Sequence, residues 1–247
     1  MVFDMYFITI METVTLLKFL AKHGGISRRD ADALIRAGKV SVNGSVIDRP
    51  EHRLSGDERI EADGRQVHAE EQKNIYIMLN KPVNYTCSAG DDHAEHLAID
   101  LIDVPQRIFS AGRLDRDSEG LLIFSNDGVF IDKLTHPRYG IKKLYHVTVN
   151  MPLENQELAQ MCSGIRDAEG EIRALEVKNI GKKCYSFLLN EGKKREIRRL
   201  VKAVGKRVTR LVRVRQGKLE LGNLPVGKWR YLTPQEVISA QENVADE

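Results

Sequence analysis

Between Gly112 and Gly120 the chain reads Gly-Arg-Leu-Asp-Arg-Asp-Ser-Glu-Gly and runs directly into Leu121-Leu122-Ile123-Phe124. Three carboxylates, Asp115, Asp117 and Glu119, fall on alternate residues of a segment closed by a glycine at each end. Glycine lets the backbone bend sharply and lets another molecule's backbone come close. The apolar run that follows has the length and bounds of a buried strand. Acids presented in this way can bind a cation, do acid–base or nucleophilic work, or simply be solvated in a structural turn. The calcium-loop spacing D-x-[DN]-x-[DN]-G is nearly filled. Its twelfth position, however, is Asn126 instead of a bidentate Glu, and an apolar strand stands where a helix entrance belongs. Glycoside hydrolysis needs two acids about 5–10 Å apart, facing one sugar from both sides, which alternate residues of a tight turn do not offer. Asp115 remains as a single-carboxylate candidate, with a plain turn as the alternative.

The surrounding elements must hold that turn. Ile75-Tyr76-Ile77-Met78-Leu79 reads as a strand ended by Pro82. Further short strands are expected at Leu121–Phe124, Leu144–Val149, Ile172–Val177, Tyr185–Leu189 and Val208–Val214. Helices are expected at about Phe130–Thr135, Glu154–Met161 and Glu196–Ala203. Strands outnumber helices and several are hairpin neighbours, so this part is expected to be α+β with a mixed, largely antiparallel sheet.

Upstream, Leu16, Leu17, Phe19 and Leu20 give one apolar face to a short helix ended by Gly24-Gly25. Ser27 and Asp30 have capping-box spacing for a second helix running through Ala33, Leu34 and Ile35 to Gly38. Asn43-Gly44, between alternating side chains from Val40 to Val46, is a hairpin signal, because both residues tolerate positive φ. Residues 68–74 are polar and without periodicity. The predicted layout is an extension (1–13), a small helix-helix-hairpin module (14–67), a linker (68–74), a main domain (75–240) and a tail (241–247). The apolar start contains Asp4 and no basic leader, so it reads as an extension, and Met11 is an alternative start.

The 247 residues suit one medium domain and a small accessory one. The net charge of only +3 means that affinity for a polyanion depends on where charges sit. They cluster: from Gly192 to Lys218 there are five Lys and seven Arg against the single acid Glu196. A solvated face usually mixes both signs, so this run points to phosphate. Cys87, Cys162 and Cys184 are odd in number and far apart, forming neither a disulfide framework nor a C-x-x-C site, as suits a reducing cytoplasm. No span of about 18 apolar residues is present, so no membrane span is expected. No metal or cofactor is expected, and a monomer is, since no long exposed apolar helix is evident.

Taken together, Ala111–Gly128 resembles the signature of the ribosomal RNA pseudouridine synthases that carry an N-terminal RNA-binding module. Met78-Leu79-Asn80-Lys81-Pro82 is similar to the family's entry strand, and Lys143-Leu144-Tyr145-His146-Val147 to its tyrosine strand. Glu191–Leu200 is similar to its arginine motif, and Gly227–Thr233 to its closing segment. The module at 14–67 resembles one first seen in a small-subunit ribosomal protein. The resemblance implies a pseudouridine synthase fold and isomerisation of a ribosomal RNA uridine. The Arg-Glu-Ile-Arg-Arg-Leu stretch and the Gly-Lys-Trp-Arg ending favour the large-subunit branch, with the small-subunit branch as the alternative.

It further implies that Asp115 is the catalytic carboxylate, acting on the sugar, on the ring, or as a base starting a glycal route. A carboxylate in a desolvated pocket stays ionised with a cation nearby, and Arg198 is expected to be that partner. Tyr145 is expected to stack on the uracil and help a proton move; an ordinary strand aromatic is the alternative. Lys193, Lys194, Arg195 and Arg199 are expected to contact phosphate, with Lys22, Arg28, Arg29, Arg36 and Lys39 lining a second grip on the module, or serving only as surface charges. Arg113 either holds the flipped nucleotide's phosphate or braces the turn. Partners are ribosomal RNA or a pre-ribosomal particle; a noncatalytic RNA-binding assembly protein on the same scaffold is the rival. The family often has glycine two residues after Lys81-Pro82, where this chain has Asn84, a residue that tolerates left-handed φ.

Overall fold

The computed structural model describes residues 14–69, 73–88 and 95–243. The predicted extension at 1–13, the Met11 start and most of the predicted tail lie outside the described residues. The chain divides into two compact units, 1–73 and 74–247, each taken by itself below.

In the first unit, helices Leu16–His23 and Arg28–Arg36 pack Leu16, Leu20, Ala31 and Ile35 against Val40, Val42, Leu54 and Ile60. The Ser27 hydroxyl accepts from the Asp30 N–H (3.0 Å) and the Asp30 carboxylate accepts from the Ser27 N–H (3.3 Å), so both ends of the capping box are closed. Strands Val40–Val42 and Ser45–Val46 turn through Asn43 (φ 51°) and Gly44 (φ 83°), the left-handed pair that a two-residue hairpin needs. Ile60–Ala62 and Arg65–Val67 extend this to four strands by an equivalent turn at Asp63-Gly64. The expected two helices are present, the expected hairpin is part of a larger sheet, and Asp63-Gly64 carries the same turn signal as Asn43-Gly44.

The second unit is a mixed, largely antiparallel sheet. Its strands lie in the spatial order Glu176–Gly181, Cys184–Leu189, Lys143–Val149, Val208–Gln216, Glu119–Ser125, Tyr76–Lys81 and Trp229–Tyr231. Along this path one pair is parallel, Glu119–Ser125 with Val208–Gln216. The sheet is covered on both faces. Leu122 and Phe124 enter one core with Ile77 and Leu79, while Leu121 and Ile123 enter another with Met78. Burial of alternate side chains on opposite faces is why the 121–124 run is apolar without a gap.

One expected strand is corrected. Ile172–Val177 is not continuous: Gly170–Ile172 pairs with Ile165–Asp167, and a separate strand begins at Glu176. Between them the backbone changes partners, with the Ala174 N–H donating to Met161 O (3.0 Å) and the Leu175 N–H to Leu188 O (2.8 Å). Period-2 patterning cannot register such a switch, because both halves are extended. A closing helix, Pro234–Ala240, is capped by Thr233 and held through Glu236, which Arg230 keeps down at about 2. Among the described residues no helix is long and apolar enough to cross a membrane.

Candidate active site

The turn carrying Asp115 is assembled from its carbonyls. Lys81, fully buried at the end of the Tyr76–Lys81 strand, donates from Nζ to the carbonyl oxygens of Pro82 (3.0 Å), Asp115 (3.2 Å) and Ser118 (2.8 Å). The Ser118 N–H closes the turn onto Asp115 O at 3.0 Å, and the Asn84 N–H reaches Arg116 O at 2.7 Å. Asn84 has φ 69°, a left-handed conformation that asparagine tolerates better than most residues. Burial lowers the Lys81 pKa, and the negative field of Cys87, Asp115, Asp117 and Glu119 opposes that. Lys81→Met leaves three carbonyls without their donor. We expect a loss of about 2 kcal/mol or more in denaturant unfolding, with a fall in turnover as Asp115 loses its placement. Wild-type stability in Lys81→Met would rule out this anchoring.

The three acids of the segment have separate fates. Asp117 pairs with Arg195 (Nη2 to Oδ2, 2.9 Å) and with Arg198 (Nε to Oδ2, 3.3 Å). Glu119 receives Arg210 Nε and Nη2 at 3.0 and 3.2 Å. Asp115 is half-buried, and among the described residues its carboxylate makes no hydrogen bond or ion pair. It faces a cleft of about 630 Å³ that Tyr145, Arg198, Arg113, Lys193, Lys194 and Arg195 also line. One side of the cleft is apolar, through Leu114, Leu189, Ile197 and Leu211. Asp115, Tyr145 and Arg198 are thus brought to one site from a turn, a strand and a helix.

Arg198, expected as the cation near Asp115, forms its direct ion pair with Asp117. Arg198, its side chain 15% exposed, is held by Asp117 through the Oδ2 contact and through Nη2 to the Asp117 carbonyl at 2.7 Å. Burial lowers its pKa and Asp117 raises it, with a weaker field from Asp115. Asp117 thereby fixes the guanidinium beside the cleft and leaves Asp115 open. Tyr145 is 7% exposed, paired with Phe187 and Arg213 on the neighbouring strands.

The basic run is less open than its sequence implies. Arg199 folds back onto Asp167 (Nε to Oδ2, 2.6 Å) and the Gly170 carbonyl, and Lys206 pairs with Glu157. Arg195 is held by Asp117, and Lys193 donates to Glu191 (2.9 Å) and to the Glu171 carbonyl (2.9 Å). Arg113 and Lys194 are exposed at the cleft. In the first unit Lys22, Arg28, Arg29, Arg36 and Lys39 are all exposed; Arg36 pairs with Asp32 (2.8 Å) and Lys39 with Asp63 (3.3 Å). Asn84 takes the left-handed conformation expected of it, whereas Lys81, Arg213 and Lys143 were given no site role by residue type or spacing. The Lys-Pro pair ending the first strand was the one available signal for Lys81.

A turn-borne carboxylate thus opens on a cleft lined by basic residues, and the first unit is a separate module with exposed cations. Comparison with known proteins makes this specific: residues 75–203 match the family described as RNA pseudouridylate synthase, and residues 14–60 match the S4 domain. The chain belongs to the RNA pseudouridylate synthase family, among the members that carry an S4 domain. It is 38% identical over 229 residues to ribosomal large subunit pseudouridine synthase B of Bacillus subtilis (strain 168), covering 90% of this chain and 93% of that one. It is 33% identical over 226 residues to ribosomal small subunit pseudouridine synthase A of Salmonella typhimurium (strain LT2), covering 90% and 97%. A crystal structure of a pseudouridylate synthase superposes with a TM-score of 0.67 at 28% identity, over 92% of this chain and 99% of that one.

Proposed function

We propose that this enzyme converts a uridine of ribosomal RNA, in the large subunit, to pseudouridine, with Asp115 as the catalytic carboxylate. The observation that carries this is the contrast among neighbouring acids: Asp117 and Glu119 are paired with arginines, whereas the Asp115 carboxylate has no hydrogen bond or ion pair among the described residues and faces the cleft. The reaction breaks C1′–N1, turns the base, forms C1′–C5, and returns the C5 hydrogen to solvent while N1 gains a proton. Atoms and electrons balance within the nucleotide, so the rearrangement calls for no cofactor. Tyr145 stacks against the uracil and the apolar wall excludes water from it, while Arg198, fixed by Asp117, supplies positive charge beside the reacting acid.

Extruding the nucleotide costs a few kcal/mol, which phosphate contacts offset. Arg113, Lys193 and Lys194 are placed for this at the cleft. Arg195 adds charge at its rim, Arg199 lies outside it on Asp167, and Lys22, Arg28, Arg29, Arg36 and Lys39 of the S4 domain give a second grip, in a monomer acting in the cytoplasm. The large-subunit assignment rests on the closer match to the Bacillus subtilis protein and on the Arg-Glu-Ile-Arg-Arg-Leu motif.

The test is tritium release from transcripts of both ribosomal RNAs labelled at uridine C5. We expect release from the large-subunit transcript alone. Release from the small-subunit transcript alone overturns the choice of subunit. Binding without release, from free RNA and from assembling particles, overturns the catalytic reading in favour of an RNA-binding assembly role.

A further inference from the structure

We propose that a second pocket beside the cleft, built around Lys143 and Arg213, binds one phosphodiester of the RNA strand flanking the target uridine. The pocket measures about 270 Å³ and shares Gly112, Arg113, Tyr145 and Lys193 with the cleft, so the two are adjoining compartments. Lys143 and Tyr145 are two residues apart on one strand and point to the same side. Arg213 sits opposite Tyr145 on the next strand.

Arg213 is 1% exposed; its Nε is used by the Leu121 carbonyl at 2.7 Å, but its Nη2 is buried without a hydrogen-bond partner. Among the described residues neither Arg213 nor Lys143 has an ion pair, and Lys143 Nζ finds only the Ile141 carbonyl, at 3.3 Å. Burial and the Arg213 charge hold the Lys143 pKa down to about 8, with Glu196 opposing. Glu196 acts on Lys143 through its field but forms no ion pair with it among the described residues, and its Oε2 accepts from the Lys193 N–H (3.1 Å). Glu191, the acid that lines the pocket, is paired with Lys193. A buried arginine with an unused donor, set beside a half-buried lysine, is costly in the free protein. A phosphate relieves this, since its oxygens accept both from the guanidinium fork and from the ammonium.

This inference rests on reading the cleft as the uridine site, and the test separates the two. Filter binding of both ribosomal RNA transcripts across a KCl series is compared for wild type, Lys143→Met, Lys143→Gln and Lys143→Arg, with tritium release measured alongside. We expect about a 10-fold loss of affinity in the Met and Gln variants, and a salt slope shallower by about 0.7–0.9, the value of one phosphate contact. Lys143→Arg is expected to keep both. An unchanged slope in folded Met and Gln variants overturns the proposal. In that event a rise in Tm with inorganic phosphate, seen in wild type and absent in Lys143→Met, identifies free phosphate as the occupant. A shallower slope without tritium release from wild type retains the phosphate pocket and overturns the isomerase reading.

Discussion

Asp115→Asn is expected to abolish tritium release, by on the order of 10⁴-fold or more in single-turnover rate, while leaving RNA affinity within about twofold. The change preserves shape and removes only the charge and its nucleophilic or basic oxygen. Because the Asp115 carboxylate has no hydrogen bond or ion pair among the described residues, nothing in the fold is orphaned, and stability should stay within about 0.5 kcal/mol of wild type. Asp117→Asn is the informative contrast. It weakens the hold on Arg195 and Arg198, so it is expected to lower activity less severely while altering stability and the salt dependence of RNA binding. A comparable loss of rate in Asp117→Asn, with Asp115→Asn retaining activity, would transfer the catalytic role to Asp117.

The contrast also marks how far residue order could be read. The glycine-bounded turn and the apolar run behind it were legible because they depend on neighbours: Gly112 and Gly120 both have positive φ, and Leu121–Phe124 alternate between two cores. The Ser27–Asp30 box and the Asn43-Gly44 hairpin are local in the same way. What escaped was long-range. Twelve cations against one acid between Gly192 and Lys218 looked like an open polyanion surface. Seven of these twelve pair with acids: Lys193, Arg195, Arg198, Arg199, Lys206, Arg210 and Lys218. All of those acids lie outside the run, at Glu191, Asp117, Asp167, Glu157, Glu119 and Glu242. Sequence likewise does not show that Arg198 pairs directly with Asp117 and reaches Asp115 only through its field, since residues 115 and 117 are equally placed in sequence and only the helix position selects between them. Lys81 was hidden because a buried lysine on three carbonyls has no spacing rule; its partners are the turn itself.

Gly120→Ala is expected to be the most destructive single-methyl change near the site. Gly120 lies opposite Arg213 where the parallel strands Glu119–Ser125 and Val208–Gln216 meet. A Cβ there would stand 2.7 Å from the Arg213 nitrogen and closer still to its carbonyl oxygen, both rigid backbone atoms. The residue also has φ 105°, which a side chain disfavours. Relief requires parting the two strands, and that displaces the Arg213 guanidinium from the Leu121 carbonyl and shifts the strand from which the Asp115 turn projects. We expect a loss above about 4 kcal/mol in denaturant unfolding, or failure to fold. Gly112→Ala separates the two causes. Gly112 has φ 82°, yet the nearest atom to an added Cβ is Thr135 Cγ2 at an ordinary 3.7 Å, so only conformational strain of about 1–2 kcal/mol is expected. Equal losses in the two variants would mean that backbone conformation alone demands glycine, and that strand contact at Gly120 does not position the turn. A loss much larger in Gly120→Ala than in Gly112→Ala ties the placement of the Asp115 turn to the close approach of these two strands.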